Sequence, residues 1–328
     1  MAWSGAKSLI LNIPFLDSLS AAALAKIRDF HTQGMSNTAW SFAKLSVEHR
    51  PLLSAIAASA LPLIRETSPQ DLANTAWAFA TLGLNNIPLM NAIAAAARPR
   101  IRDFNAQNLS NMPWAFAKLA VCDFPLLQAI ASASRATLSS FNTQNLSNTA
   151  WSLAALSVVH QPLLAALSAS ARPRLPSAST QDMTNTAWAF ATLQYINRPL
   201  LHAISSAVIR RITDLDAQGL ANTAWSWATM GWLDGPLLYA IASAARRIID
   251  DFRAQELANS AWAFATLGIV NIPLRAAISS EAIRRISSWS TQDISNTAWA
   301  FSTLLLRDDP LMAALSSAFI ARHADFQA

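Results

Sequence analysis

The sequence predicts an all-α fold, an α-solenoid of tandem 37-residue helix-turn-helix repeats, about nine in number with the first incomplete. Three observations predict it. A tryptophan returns at Trp3, Trp40, Trp77, Trp114, Trp151, Trp188, Trp225, Trp262 and Trp299, each step being 37 residues without insertion or deletion. A strict period in this range marks repeats that stack and bury a shared core. Each unit carries two helix-start signals with apolar residues at helical spacing, and no alternating apolar and polar run marks a strand.

The first helix of a unit is read from its N-terminal signature. Ser179-Thr-Gln-Asp182 is a capping-box start, with Ser179 as N-cap and Asp182 at the third helical position. The same offset joins Ser68 to Asp71 and Ser290 to Asp293, and Pro69 falls at the first helical position, where no amide is needed. Phe30, Phe104, Phe141, Phe252 and Trp289 precede the cap. They face Met35, Leu109, Leu146, Leu257 and Ile294 one turn inside, as a hydrophobic staple does. The helix spans about 14 residues, and in three repeats it ends before Gly83, Gly231 or Gly268, glycine being the residue expected at a C-terminal cap.

A short loop leads to the second cap at Asn12, His49, Asn86, Asp123, His160, Asn197, Asp234, Asn271 or Asp308. Two residues later comes a proline in every unit, from Pro14 to Pro310, inside the first turn of a second helix. That helix carries patterns such as Leu126-Leu-Gln-Ala-Ile130. Its C-terminal part is basic, and Pro62, Pro99 or Pro173 predicts a kink or a short extra turn there.

A solenoid is one quasi-linear domain, so residues 1–328 read as a single repeat domain. The chain enters in mid-repeat at Met1-Ala-Trp3-Ser and stops at Asp325-Phe-Gln-Ala328, where another unit would begin. It reads as part of a longer array, with any address signal outside it. Hydrophobic residues make up 53% and charged residues 13%, which excludes a disordered chain. No apolar run is long enough for a membrane span; Leu52 to Ile64 is broken by Ser54, Ser59 and Pro62. The one cysteine, Cys122, excludes an internal disulfide framework. A net charge of +5 favours a polyanionic partner only mildly.

On a helical wheel the leucine five before the tryptophan, the alanine one before and the phenylalanine two after share one side. The tryptophan and the following leucine widen the apolar arc, so Trp40, Trp77, Trp114, Trp151, Trp188, Trp225, Trp262 and Trp299 are expected to be structural core. One stripe stays polar. Seven before the tryptophan is always glutamine (Gln33, Gln70, Gln107, Gln144, Gln181, Gln218, Gln255 and Gln292) and three before is always asparagine, from Asn37 to Asn296. These amides share a face with the positions one and four after tryptophan, as in Ser41, Ala78, Lys44, Thr81 and Lys118.

Two readings of the stripe stand. The amides bond between neighbouring repeats and satisfy helix ends, or they touch a ligand threaded along the array. Sameness in every repeat argues against their choosing between bases, so asparagine reads as structural and glutamine as open to ligand backbone contact. Discrimination then falls to the variable positions Asp71, Asn108, Asn145, Asp182, Glu256 and Asp293, with Lys44 and Lys118. A second row comes from Lys26, Arg100, Arg174, Arg211, Arg285 and Arg322, near the end of the second helix, beside Arg98, Arg135, Arg172, Arg210, Arg246 and Arg284. These cations either track phosphates or complement a helix C-terminus and pair with Asp29, Asp103, Asp214 and Asp251.

No catalytic or cofactor motif is present. The seven glycines form no phosphate-cradling loop. His31, His49, His160, His202 and His323 are dispersed, and Cys122 has no partner for a zinc site. The expectation is a protein that is not an enzyme, with no cofactor, no metal, no small-molecule substrate and no membrane partner.

The motif Gln-x-Leu-x-Asn-Thr-Ala-Trp-Ala-Phe-Ala-Thr-Leu, as in the stretch from Gln70 to Leu82, resembles the octotricopeptide-type repeats and their 37-residue heptatricopeptide relatives over essentially the whole chain. The Pro-Pro-Pro-Glu-Trp element of many octotricopeptide repeats is not present. The resemblance implies a helical-hairpin solenoid that binds single-stranded RNA in a chloroplast or mitochondrion and acts on processing, stability or translation of transcripts. By analogy with other helical-repeat readers it implies about one nucleotide per repeat. A protein-binding scaffold using the same polar face is the alternative.

Overall fold

The computed structural model describes residues 13–303 and 308–322. Trp3, Asn12, His323 and both chain ends lie outside them. The described residues form seventeen α-helices and no strand. The first helices of the repeats are α2 (Thr32–Lys44), α4 (Pro69–Thr81), α6 (Ala106–Lys118), α8 (Thr143–Ala155), α10 (Thr180–Thr192), α12 (Ala217–Thr229), α14 (Ala254–Thr266) and α16 (Thr291–Thr303). The second helices are α1 (Ile13–Ala25), α3 (Arg50–Ala60), α5 (Ile87–Ala97), α7 (Phe124–Thr137), α9 (Gln161–Ala171), α11 (Arg198–Arg210), α13 (Gly235–Arg247), α15 (Ile272–Arg285) and α17 (Asp309–Ala321). A 3₁₀ turn follows each of α1, α3, α5, α7, α9, α11, α13 and α15 and leads back to the next repeat. It begins at the prolines in Leu61–Leu63, Arg98–Asp103 and Arg172–Ser177, and forms without proline in the others. Among the described residues no helix is long and apolar enough to cross a membrane.

The caps lie where the sequence places them. Ser179 Oγ accepts from the Asp182 amide at 3.0 Å, and the Asp182 carboxylate accepts from the Ser179 amide at 3.3 Å. His49, Asn86, Asp123, His160, Asn197, Asp234, Asn271 and Asp308 each accept the amide three residues on, opening the second helices. After each first helix from α2 to α14 the next residue but one is left-handed. Gly83, Gly231 and Gly268 take φ of +67°, +61° and +67° at no steric cost. Ser46, Ala120, Ser157 and Gln194 hold φ of 52° to 55°, against the preference of any residue with a Cβ. The reason lies in the bonds that the turn completes. In the first of them Val47 N donates to Phe42 O at 2.9 Å and Ser46 N to Ala43 O at 3.0 Å, closing the helix by a Schellman pair.

The chain divides into two compact units, residues 1–170 and 171–328. In the first, α2, α4, α6 and α8 pack side by side as one layer; in the second, α10, α12, α14 and α16 do the same. The second helices touch one another far less, so the first-helix layer is the tight one in each unit. Alanine allows the close approach: Ala39, Ala43, Ala76 and Ala80 in the first unit, and Ala187, Ala191, Ala224 and Ala228 in the second, are all buried. The residue two after the tryptophan fills the core, as Phe42, Phe79, Phe116 and Leu153 in one unit and Phe190, Trp227, Phe264 and Phe301 in the other. Each such side chain contributes about 1.5–3 kcal/mol by leaving water.

The repeat tryptophans themselves are not core, which corrects the expectation drawn from the breadth of the apolar arc. Trp40, Trp77, Trp114, Trp151, Trp188, Trp225 and Trp262 are half-buried, and Trp299 is exposed at 46%. At 100° per residue the positions seven before, three before and four after tryptophan fall within about 60° of it. The tryptophan therefore sits in the middle of the polar stripe. The position one after it turns away instead: Ser41, Ala78, Ser152 and Ser226 are buried, also against expectation.

Candidate functional site

Each first helix presents one stripe: glutamine at the second helical position, then asparagine, tryptophan and the residue four further on. All eight glutamines, Gln33, Gln70, Gln107, Gln144, Gln181, Gln218, Gln255 and Gln292, are exposed. The eight asparagines, Asn37, Asn74, Asn111, Asn148, Asn185, Asn222, Asn259 and Asn296, are half-buried. Among the described residues none of these sixteen side-chain amides makes a hydrogen bond; only backbone carbonyls of the stripe are used, as where Ser41 Oγ donates to Asn37 O at 2.6 Å. The reading of the asparagines as inter-repeat bonds is thus corrected. Lys44 and Lys118 are exposed at the far end of their stripes.

Between repeats the tryptophans form a row. In the first unit Trp40, Trp77 and Trp114 stand 6.4 and 6.5 Å apart between ring centroids, with planes 34° and 29° apart. In the second, Trp225, Trp262 and Trp299 stand 6.5 and 6.4 Å apart, tilted 32° and 31°. Each unit therefore has an indole ladder with unpartnered amides beside every rung.

The variable acidic and amide positions are not on that surface. Asp71, Asn108, Asn145 and Glu256 are buried, and Asp182 and Asp293 half-buried, because each side chain folds back over its own helix N-terminus. Asp71 accepts from Ser68 Oγ at 2.7 Å, Asn108 Oδ1 from the Asn105 amide at 3.4 Å, Asn145 Oδ1 from the Asn142 amide at 3.1 Å, Glu256 from the Arg253 amide at 2.7 Å, and Asp293 from the Ser290 amide at 3.2 Å. These six side chains are engaged at their own helix starts, a structural role that the sequence reading gave only to Asp71, Asp182 and Asp293.

The aligned arginines are also engaged. Arg100 Nη1 donates to Thr67 O at 2.8 Å and Arg211 Nη1 to Ala178 O at 2.6 Å. Arg285 Nη1 donates to Phe252 O at 2.9 Å, and Arg322 reaches Ser287 O. Each acceptor is the carbonyl 33 or 35 residues earlier, in the turn that precedes the first helix of the same repeat. These guanidiniums link one inter-repeat turn to the next, a structural role beside the one the sequence offered. Arg174, at the same offset, also has a partner. Arg284 is paired with Glu281 at 2.5 Å. That contact holds its pKa above the usual guanidinium value. Arg98, Arg135, Arg172 and Arg246 form a different row of one offset; they are exposed and have no ion pair among the described residues. They stand at the ends of the second helices or in the turns after them, beside the edge from which the next first helices start.

Sequence reasoning missed two features. The tryptophan row was legible in the 100° arithmetic, but the breadth of the apolar arc suggested burial. The second, a polar groove between α10 and α12 with Gly219 in its wall, had no periodic signal.

Fold and surface together define a class: an all-α helical-repeat protein whose first helices present an amide-and-indole face. Within it, residues 51–198 match the family model described as RNA-editing substrate-binding complex 6 protein. Over that stretch the chain is similar to an RNA-associated helical-repeat family, not specifically to octotricopeptide repeats. No curated protein matches the chain.

Proposed function

We propose that this protein binds single-stranded RNA along the face of its first helices, as a binder and not an enzyme. One observation carries the reading: in each unit eight amides without intramolecular partners lie beside a row of partly exposed tryptophans. Aromatic faces stack on bases at about 1–3 kcal/mol per base. An amide offers a donor and an acceptor side by side, which complements a base edge better than a phosphate, which only accepts. The rung spacing of 6.4–6.5 Å is roughly twice the ~3.4 Å per nucleotide of a stacked strand. A strand taking one nucleotide per repeat is then unstacked, with bases free to be read, the mode by which single-stranded RNA is recognised. Arg98, Arg135, Arg172 and Arg246 supply the phosphate contacts in this reading. The match to an RNA-editing substrate-binding family supports it, and handling of RNA-processing substrates in an organelle, mitochondrion or chloroplast, is part of the proposal.

The test is retention of a randomised single-stranded RNA pool by the purified chain across a salt series. Enrichment of a motif with affinity falling steeply with salt supports the reading; no retention at low salt overturns it. A protein partner is the second reading. Ile196, Leu233 and Val270 favour it, since they are exposed at one repeat position in the loops between first and second helices of the second unit.

A further inference from the structure

The groove between α10 and α12 breaks the regularity of the second unit. It has a volume of about 350 Å³, and its walls include Gln181, Asn185, Thr184, Gln218, Gly219 and Asn222, with Asp214 and Asp216 at the turn before α12. Two consecutive stripes thus turn all four of their unpartnered amides into one space.

Gly219 sets this wall apart from its counterparts. Its position is the third of the first helix, held elsewhere by Asp71, Asn108, Asn145, Asp182, Glu256 or Asp293. In the first unit Asn145 fills the equivalent gap, its Nδ2 donating to Ser110 Oγ of the preceding repeat at 2.8 Å, with both residues buried. The counterpart of Ser110 here is Thr184, one wall of the groove. Glycine sends nothing across to it, and the Asp216 cap alone, accepting the Gly219 amide at 2.8 Å, holds the helix start. Gly34 also lacks the side chain, but no first helix precedes it among the described residues.

We propose that this groove is a pocket for one nucleobase bearing an exocyclic amino group, and that it rejects uracil and phosphate. The proposal rests on the RNA-binding reading above and gives that surface one selective position. Phosphate is disfavoured by the carboxylates of Asp214 and Asp216 at the wall. Those carboxylates and the carbonyl ends of four amides are acceptors, and carboxylate oxygens have lone pairs to spare beyond one bond. Asp214 holds Arg211 at 3.1 Å and Asp216 holds the Gly219 amide, so both are fixed in place. Adenine, cytosine and guanine carry an amino donor to such a wall; uracil presents carbonyl oxygens at the same places. The four amides rotate to meet the remaining edge.

The experiment uses the full chain. Its preferred RNA is obtained by selection, each position is replaced in turn by uridine, and affinities are measured for the wild type and for Gly219→Asn. The asparagines at this position in two other repeats, Asn108 and Asn145, accept the N-cap amide, so the variant is expected to keep the helix start and to close the groove toward Thr184 as Asn145 closes on Ser110. A Cβ at Gly219 meets Asp216 Oδ1 at 3.1 Å, so the cap carboxylate has to shift by a few tenths of an ångström to admit it. The expected result is one position where uridine weakens wild-type binding about tenfold and leaves Gly219→Asn indifferent. Gln218→Ala, at an exposed residue, provides the same comparison without touching the cap. Uridine tolerated at every position, or discrimination unchanged in both variants, overturns the pocket while leaving RNA binding intact. Absence of RNA binding by the wild type overturns both.

Discussion

Replacing Arg211 by methionine separates two roles that the sequence left level. Methionine keeps most of the aliphatic stem and removes the guanidinium. In the structure that group donates to Ala178 O at 2.6 Å and pairs with Asp214 at 3.1 Å, with the side chain 37% exposed. A charge-assisted bond contributes about 1.5–3 kcal/mol, and partial solvent access brings the expected loss to about 1–2 kcal/mol. For a unit of this size that lowers the melting temperature by about 2–8 °C. The assay is thermal and urea unfolding, paired with RNA affinity across a salt series. Arg246→Met is the counterpart, since Arg246 is exposed with no ion pair among the described residues. It is expected to leave stability within about 0.5 kcal/mol and to reduce the slope of log affinity against log salt by about one. The reasoning is refuted if Arg211→Met leaves unfolding unchanged and flattens the salt slope, for then Arg211 meets phosphate and not Ala178.

Further expectations follow from the same geometry. Asn74→Ala and Asn111→Ala each alter stability by less than about 0.5 kcal/mol, because the lost amide has no partner, and weaken RNA binding measurably; a large loss of stability shows the amides to be structural. Trp77→Ala, removing the rung between Trp40 and Trp114, lowers RNA affinity by about 1–3 kcal/mol, and RNA quenches the wild-type tryptophan fluorescence. An unquenched spectrum at saturating RNA places the ligand elsewhere. Ala120→Gly relieves a left-handed residue at φ 54° and raises stability by about 0.5–1 kcal/mol, net of the flexibility added to the unfolded chain. The same change at Ala78, inside α4, lowers stability by about 0.5–1 kcal/mol, which controls for the substitution itself.

The helices, their caps and their order were legible because each depends on residues within one turn of chain. Ser179 and Asp182 close a capping box whatever surrounds them, and His49 or Asn271 accepts a local amide wherever its helix packs. The strict 37-residue register then carried the pattern from repeat to repeat, so one unit read well was the fold read well. Assigning jobs to side chains was harder, because a long side chain has several partners within reach. Arg211 sits close in sequence to Asp214, yet its shorter bond is to a carbonyl 33 residues away, which only stacking brings near. Asp71 and Glu256 vary between repeats as a reader would, and vary because several residue types serve as a cap.

Local hydrogen bonding and period were determined by the sequence alone, since both rest on short-range geometry. Burial was decided by tertiary structure, because it depends on how closely neighbouring first helices approach. Alanines such as Ala39 and Ala76 bring that layer together and leave the tryptophans at its surface. The groove at Gly219 shows the same dependence, since its walls come from two neighbouring repeats that only stacking brings together.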